Sequence, residues 1–393
     1  MNVPTWPGIP PGAPKESAPM SSSLVAAIVL GTRPEAIKLA PLVHELQDRT
    51  EASAKLISTG QHREMLRPML ELFRLKPDVD LDLQRPDQTL EHIVTSVLEG
   101  LGPRLDEIRP DVLVVQGDTT TTFAAAWVAF HRGIPVAHLE AGLRTGDPRT
   151  PFPEEMNRRL TTRLADLHFA PTARAREALL AEGVDPAAII LTGNTVVDAL
   201  RWLDEERGEE LQPPAGLDPE ELVGRRLALV TGHRRESFGE PFRNLCAGLR
   251  RIVDEHEDLL AVYPVHLNPR VQAPVREILG GHERIRLLEP VAYPELVWML
   301  KRAEIVLTDS GGIQEEAPSF GVPVLILREL TERMEAVDAG VATLVGTNPD
   351  LMVEEARKRL AEGKFEAKVN PFGDGHAAAR CVDAMMSRFA RGR

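Results

Sequence analysis

From Leu24 onward, short apolar runs alternate with longer amphipathic stretches. LVAAIVL (24–30) precedes a helical pattern near 34–48, and AKLIST (54–59) precedes another near 62–74. DVLVVQ (111–116) leads to a helix near 120–132, and IPVAHL (134–139) leads through a loop to PEEMNRRLTTRLADL. HFA (168–170) and IILT (189–192) close this half. The stretch 201–224, RWLDEERGEELQPPAGLDPEELVG, is acidic and broken by Pro and Gly, as a junction would be. The pattern then restarts with LALVTG (227–232), LLAVYPV (259–265), RIRLLEP (284–290), EIVLTD (304–309), PVLIL (323–327) and ATLVG (342–346). Alternating strand and helix predicts a parallel sheet covered on both faces, so the class is α/β, with two doubly wound domains facing a central cleft. The predicted division is an extension over 1–22, a first domain over 23–204, a linker over 205–224 and a second domain over 225–393. The final helix is placed where it can pack back on the first domain.

Composition narrows the function. The chain has 393 residues and a formal net charge of -13, without a Lys/Arg run that could track a nucleic-acid backbone. An anionic ligand would therefore need a local basic pocket. No apolar stretch approaches the ~18 residues of a membrane span, so neither a nucleic-acid nor a membrane partner is expected. Residues 1–22 are rich in Pro, Ser and Gly and lack the basic start and apolar core of a signal peptide, so they are expected to be disordered. Cys246 and Cys381 form no pairing pattern and fit a reducing, cytoplasmic setting.

In a doubly wound sheet, ligands bind beyond the carboxyl ends of the strands. The residues found there are chemically loaded. GTRPEAIK follows the first strand with Arg33 and Lys38; two cations at a helix start oppose its dipole and call for an anion. Asp118 precedes four threonines and reads equally as a helix cap. Glu140 follows PVAHL and could pair with Arg144; His233, Arg234 and Arg235 follow LALVTG; His266 follows AVYPV. In the helix near 153–167, Met156, Leu160, Leu164 and Leu167 form the predicted core stripe, while Glu154, Asn157 and Arg158 share another face. Glu155 and Arg159 read as a salt bridge.

After IVLT comes Asp309-Ser310-Gly311-Gly312, a glycine turn opening a helix. Such a turn suits a diphosphate, and a carboxylate one turn on, Glu316, suits the two hydroxyls of a ribose; Glu315 reads as a capping residue. A dinucleotide site is disfavoured, because GTRPEAIK has one glycine where GxGxxG needs three. Histidines are scattered, so no dedicated metal site is expected.

GTRPEAIKLAPL, TGQHREM, QGDTTTT, HLEAGLRTGD, PFPEEMNRR, LTGNTVVDAL, TGHRRESFG, YPVHLNP, DSGGIQEEAPSFGVPVL and TERMEAVDAG together resemble the bacterial non-hydrolysing UDP-N-acetylglucosamine 2-epimerases, from about Leu24 to the C-terminus. The resemblance implies Rossmann-like domains in a glycosyltransferase-B-like fold and a cytoplasmic homodimer. The implied reaction interconverts UDP-GlcNAc and UDP-ManNAc by elimination of UDP to 2-acetamidoglucal and re-addition, without a cofactor, in supply of surface polysaccharide. It implies Asp118, Glu140, Glu154 and His233 as catalytic. It gives the UDP contacts to Arg33, Lys38, Arg158, Ser310, Gly311, Gly312 and Glu316. Some members carry a second UDP-GlcNAc site that activates the enzyme. Gln61, Arg234 and His266 fit that site, whereas Glu64 and Asp87 depart from its pattern. The alternatives from the same residues are a hydrolysing relative releasing free ManNAc and UDP, a glycosyltransferase, and a non-catalytic nucleotide-sugar sensor.

Overall fold

The computed structural model describes residues 22–61, 63–85, 88–366 and 370–392. The expected disordered extension therefore lies outside the described residues apart from Ser22, which opens the first strand, and Asp87 also lies outside them.

The first half carries seven strands: β1 (Ser22–Leu30), β2 (Ala52–Ser58), β3 (Val79–Asp80), β4 (Val112–Gln116), β5 (Val136–Leu139), β6 (Leu167–Ala170) and β7 (Ile189–Leu191). Its helices are α1 (Arg33–Asp48), α2 (Arg63–Leu72), α3 (Leu90–Ile108), α4 (Thr120–Phe130), α5 (Glu154–Leu164), α6 (Ala173–Ala181) and α7 (Thr195–Arg207). The second half carries β8 (Arg226–Thr231), β9 (Leu259–Pro264), β10 (Ile285–Leu288), β11 (Ala303–Thr308), β12 (Val324–Ile326) and β13 (Ala342–Leu344). Between and after them run α8 (Glu240–Glu255), α9 (Pro269–Leu279), α10 (Tyr293–Arg302), α11 (Gly311–Glu316), α12 (Met334–Asp338), α13 (Pro349–Glu362) and α14 (Ala377–Phe389), then β14 (Arg391–Gly392).

The first sheet has the order β3-β2-β1-β4-β5-β6-β7 and the second the order β10-β9-β8-β11-β12-β13. Pairing is parallel throughout, except that β14 runs antiparallel to β1. Strand β4 is buried along its whole length, which explains its uninterrupted Val/Leu run, since helices cover both faces. The chain's last helix, α14, packs on α1 and α7 of the first half. The sequence pattern does not show β3, which is two residues long, or α3, whose apolar positions follow no clear strand.

Strand order reverses between β1 and β4 in one sheet and between β8 and β11 in the other. Each reversal sends neighbouring helices to opposite faces and opens a crevice at the strand ends. The turns after β1, β4, β8 and β11 are those that carry Arg33, Asp118, His233 and Ser310.

One expectation is overturned. Met156 and Leu160 of α5 are 40% and 41% exposed, while Glu155, Asn157, Arg158, Thr161 and Thr162 are buried. Of the predicted core stripe, only Leu167 is fully inside. Helical periodicity finds two faces but cannot say which points inward. Here the polar face does, because the loops it meets supply partners for Glu155 and Arg158.

Candidate active site

The two crevices meet in one cleft of about 1030 Å³. Asp118, Glu140, Glu154 and His233 all line it, as do Arg33, Lys38, Arg158, Ser310, Gly311, Gly312 and Glu316. Each position follows from local folding. Thr119 caps α4 by accepting from the Thr122 N–H at 3.1 Å, which fixes the turn that presents Asp118. Glu35 accepts from the Gly31 and Thr32 N–H groups at 2.7 and 2.8 Å and from the Thr119 hydroxyl at 2.7 Å. It thereby ties the turn after β1 to the turn after β4. Glu140 sits in the left-handed backbone region, at φ 62. That conformation costs a non-glycine residue about 1–3 kcal/mol and clusters at functional sites.

The carboxylates differ in what holds them. Asp118 receives Arg158 on Oδ2, at 2.8 Å from Nε and 2.7 Å from the second nitrogen. Arg158 in turn lies 3.1 Å from Glu155, which is fully buried and also anchors Arg159 and the Thr145 N–H. Glu155 is thus more than one half of a salt bridge. Glu140 is gripped on both oxygens, by Lys38 at 2.6 Å and by the Gln116 amide. Burial pushes the Glu140 carboxyl up and Lys38 pulls it back, with burial prevailing. Arg144, the alternative partner for Glu140, instead binds Glu182 at 2.6 Å. Glu154 lines the cleft, and among the described residues its Oε2 is buried without a hydrogen-bond partner.

On the opposite wall, Asp309 is completely buried and accepts from the His233 and Arg234 N–H groups at 2.6 and 2.7 Å. Its second oxygen lies 3.5 Å from His233 Nδ1, and the His233 ring stacks on His266 at 5.2 Å. Burial lowers the His233 pKa, with Asp309 opposing. Glu316 accepts from the Tyr293 hydroxyl at 3.2 Å, and burial raises it to about 7. A Cβ on Gly311 would lie 2.8 Å from the Arg333 guanidinium carbon, so only glycine lets that cation reach the turn. Arg33 is exposed at the cleft mouth, without a carboxylate partner among the described residues.

One assignment needs correction. Glu315 is not a cap: it is buried and bonded to Lys38 at 3.1 Å, Arg333 at 3.0 Å and Asn194 at 3.2 Å. Arg234 and His266 line the cleft and also a neighbouring pocket with Phe238 and Asn268, while the Gln61 amide oxygen accepts from Thr121 at 2.6 Å. Sequence reasoning passed over Glu35, Asp309 and Arg333. Asp309 had a signal, as an acid ending a buried apolar strand; Arg333 had none nearby.

The family profile described as UDP-N-acetylglucosamine 2-epimerase matches residues 44–386. The chain belongs to the UDP-N-acetylglucosamine 2-epimerase family. The relative of that name in Escherichia coli K12 is 50% identical over 368 residues, covering 91% of this chain and 97% of its own. The UDP-GlcNAc 2-epimerase of Neisseria meningitidis, solved bound to UDP-GlcNAc, superposes with TM-score 0.81 at 40% identity, covering 93% of this chain and all of that one. A structure from Listeria monocytogenes, a UDP-N-acetylglucosamine 2-epimerase by name, reaches TM-score 0.84 at 44% identity, covering 94% and 97%. The glycotransferase of kitacinnamycin, 14% identical with TM-score 0.57, shares the fold alone and supports the glycosyltransferase-B-like architecture. As an epimerase family it is a family of isomerases.

Proposed function

We propose that the protein interconverts UDP-GlcNAc and UDP-ManNAc by eliminating UDP and adding it back. The observation that carries this reading is convergence. Three carboxylates at the ends of β4 and β5 and the start of α5 face a cation-flanked glycine turn after β11 across one cleft. The C2 hydrogen becomes removable only as the C1–O bond breaks. A carboxylate takes the C2 proton, the C–H electron pair forms the C1=C2 double bond, and UDP leaves with the C–O pair. Re-addition of UDP at C1, with a proton delivered to the other face of C2, gives the epimer. Glu154, with Oε2 unpartnered among the described residues, and Asp118, with Oδ1 not engaged by Arg158, suit proton transfer. Glu140, held on both oxygens, suits charge stabilisation of the oxocarbenium-like centre. Arg33, Arg333 and the turn at Ser310–Gly312 would hold the diphosphate, with His233 beside the departing oxygen, and Glu316 would accept from the ribose hydroxyls.

The test is incubation with UDP-GlcNAc in D2O, without nicotinamide cofactor or added metal, followed by NMR. The expected result is UDP-ManNAc together with deuterium at C2 of both sugars. Release of free ManNAc and UDP would establish the hydrolysing reaction instead. Substrate that binds but stays unchanged would sink the epimerase reading.

The reading extends to assembly and place. Trp127 and Phe130 of α4 and Met156 and Leu160 of α5 are exposed on two helices that pack side by side. Large apolar side chains grouped in this way mark an interaction surface, and a second copy of the chain is the proposed occupant. Sedimentation should give a dimer for the native chain and a monomer for the Trp127→Glu, Leu160→Glu double variant; a native monomer would refute it. Among the described residues, no helix is long and apolar enough to cross a membrane. Both cysteines are free and buried, which supports a reducing, cytoplasmic setting.

A further inference from the structure

The two halves of the cleft are joined at its floor by a buried charge cluster. Lys38 of α1 reaches Glu140 of its own half and Glu315 of the other. Asn194, before α7, donates to the same Glu315 at 3.2 Å and to Glu140 at 3.4 Å. On its second oxygen Glu315 takes Arg333 at 3.0 Å, and Arg333 also contacts Glu332 at 3.3 Å. Arg333 stands over the Gly311 turn. An unbroken chain of charged contacts therefore runs from the glycine turn, through Arg333, Glu315 and Lys38, to Glu140.

We infer that Glu315 is a positioning residue for the epimerisation, locking the diphosphate turn of one half to Lys38 and Glu140 of the other so that the cleft stays closed while the intermediate exists. This inference rests on the elimination reading above. Other bonds also cross between the halves, among them Thr172 to Glu335 at 2.6 Å and Arg174 to Asp338 at 3.0 Å. None of those four residues lines the cleft, whereas Lys38 and Arg333, the two cations that Glu315 holds, both do, as does Glu140. They keep the halves together, whereas Glu315 ties together the groups that flank the reaction. Burial would raise the Glu315 carboxyl, but Lys38 and Arg333 hold it below its ordinary value, so it acts as an anion between two cations.

The geometry has a chemical consequence. After elimination, UDP and 2-acetamidoglucal lie side by side as separate molecules, and catalysis requires that neither escapes. Loss of the lock should let both out. No water is consumed in that leak, so its products are UDP and the glucal, not free ManNAc.

The experiment is Glu315→Gln, assayed for epimerisation and for glucal release. The substitution keeps the side-chain volume and leaves Lys38 and Arg333 balanced by Glu140 and Glu332, so folding is retained. The expected result is a fall in kcat of about 10–30-fold, a KM for UDP-GlcNAc changed by less than about 3-fold, and a rise of about tenfold or more in glucal released per epimerisation. A general loosening of the structure would raise KM and lower the melting temperature without moving that ratio. Asn194→Ser keeps the helix cap but removes the reach to Glu315 and should raise the release ratio in the same direction; it carries the test if Glu315→Gln does not fold. If the native chain exchanges C2 hydrogen with solvent and either folded variant keeps the native release ratio, the inference fails and the proposed function stands. If the native chain shows no exchange, the proposed function itself fails.

Discussion

Glu154→Gln is expected to lower kcat by about 10²–10⁴-fold, the range typical for loss of a positioned acid or base, with UDP affinity nearly unchanged. Three features make this the cleanest substitution in the cleft. Glu154 Oε2 has no partner among the described residues, so replacing the carboxylate strands no cation. Glutamine matches its shape at the first position of α5. The proposed contacts to the diphosphate and ribose, at Arg33, Arg333, the Ser310–Gly312 turn and Glu316, do not include Glu154, so ground-state binding has no reason to weaken. Asp118→Asn should cost a similar factor in kcat but is less clean, because Arg158 then loses one of its two carboxylates and keeps only Glu155. Steady-state kinetics with C2 deuterium wash-in checks both. If Glu154→Gln keeps kcat within about tenfold of native, Glu154 moves no proton and the acid–base pair must be sought between Asp118 and Glu140.

Much of this site was legible in the sequence because it stands at strand ends. An apolar run followed by Gly-Asp, Gly-His or Ser-Gly-Gly marks both the strand and the turn where a doubly wound sheet opens, and those turns do line the cleft. What was not legible depended on contacts distant in sequence. Lys38 and Glu315 are 277 residues apart, and no local pattern could turn Glu315 from a helix cap into the centre of a buried cluster. The face of α5 was misjudged for a related reason. Its polar side is buried because Glu155, Arg158 and Thr162 find partners at Thr145, Asp118 and Arg144, on loops that periodicity does not see, and its apolar side is left outside.

The second large effect concerns stability. Lys38→Met should destabilise the fold by about 3–5 kcal/mol, the usual cost of removing one partner from a buried ion cluster. The charge balance decides the sign and the size. Lys38 and Arg333 face Glu140, Glu315 and Glu332. Without Lys38, one guanidinium is left among three carboxylates, and Glu140 and Glu315 lose the cation between them. Burial alone would lower the Lys38 pKa, but those two carboxylates hold it above its ordinary value, so the amine is charged across the physiological range. Arg33→Met is the control from the same cleft. Arg33 is exposed and unpaired among the described residues, so its loss should leave stability within about 0.5 kcal/mol of native while raising KM for the nucleotide sugar. Urea unfolding followed by circular dichroism measures both. A Lys38→Met chain within about 1 kcal/mol of native would mean that Glu140 and Glu315 shed their charge by taking up protons. The floor of the cleft would then be a neutral hydrogen-bonded network, and the charged connection from the glycine turn to Glu140 would be lost with it.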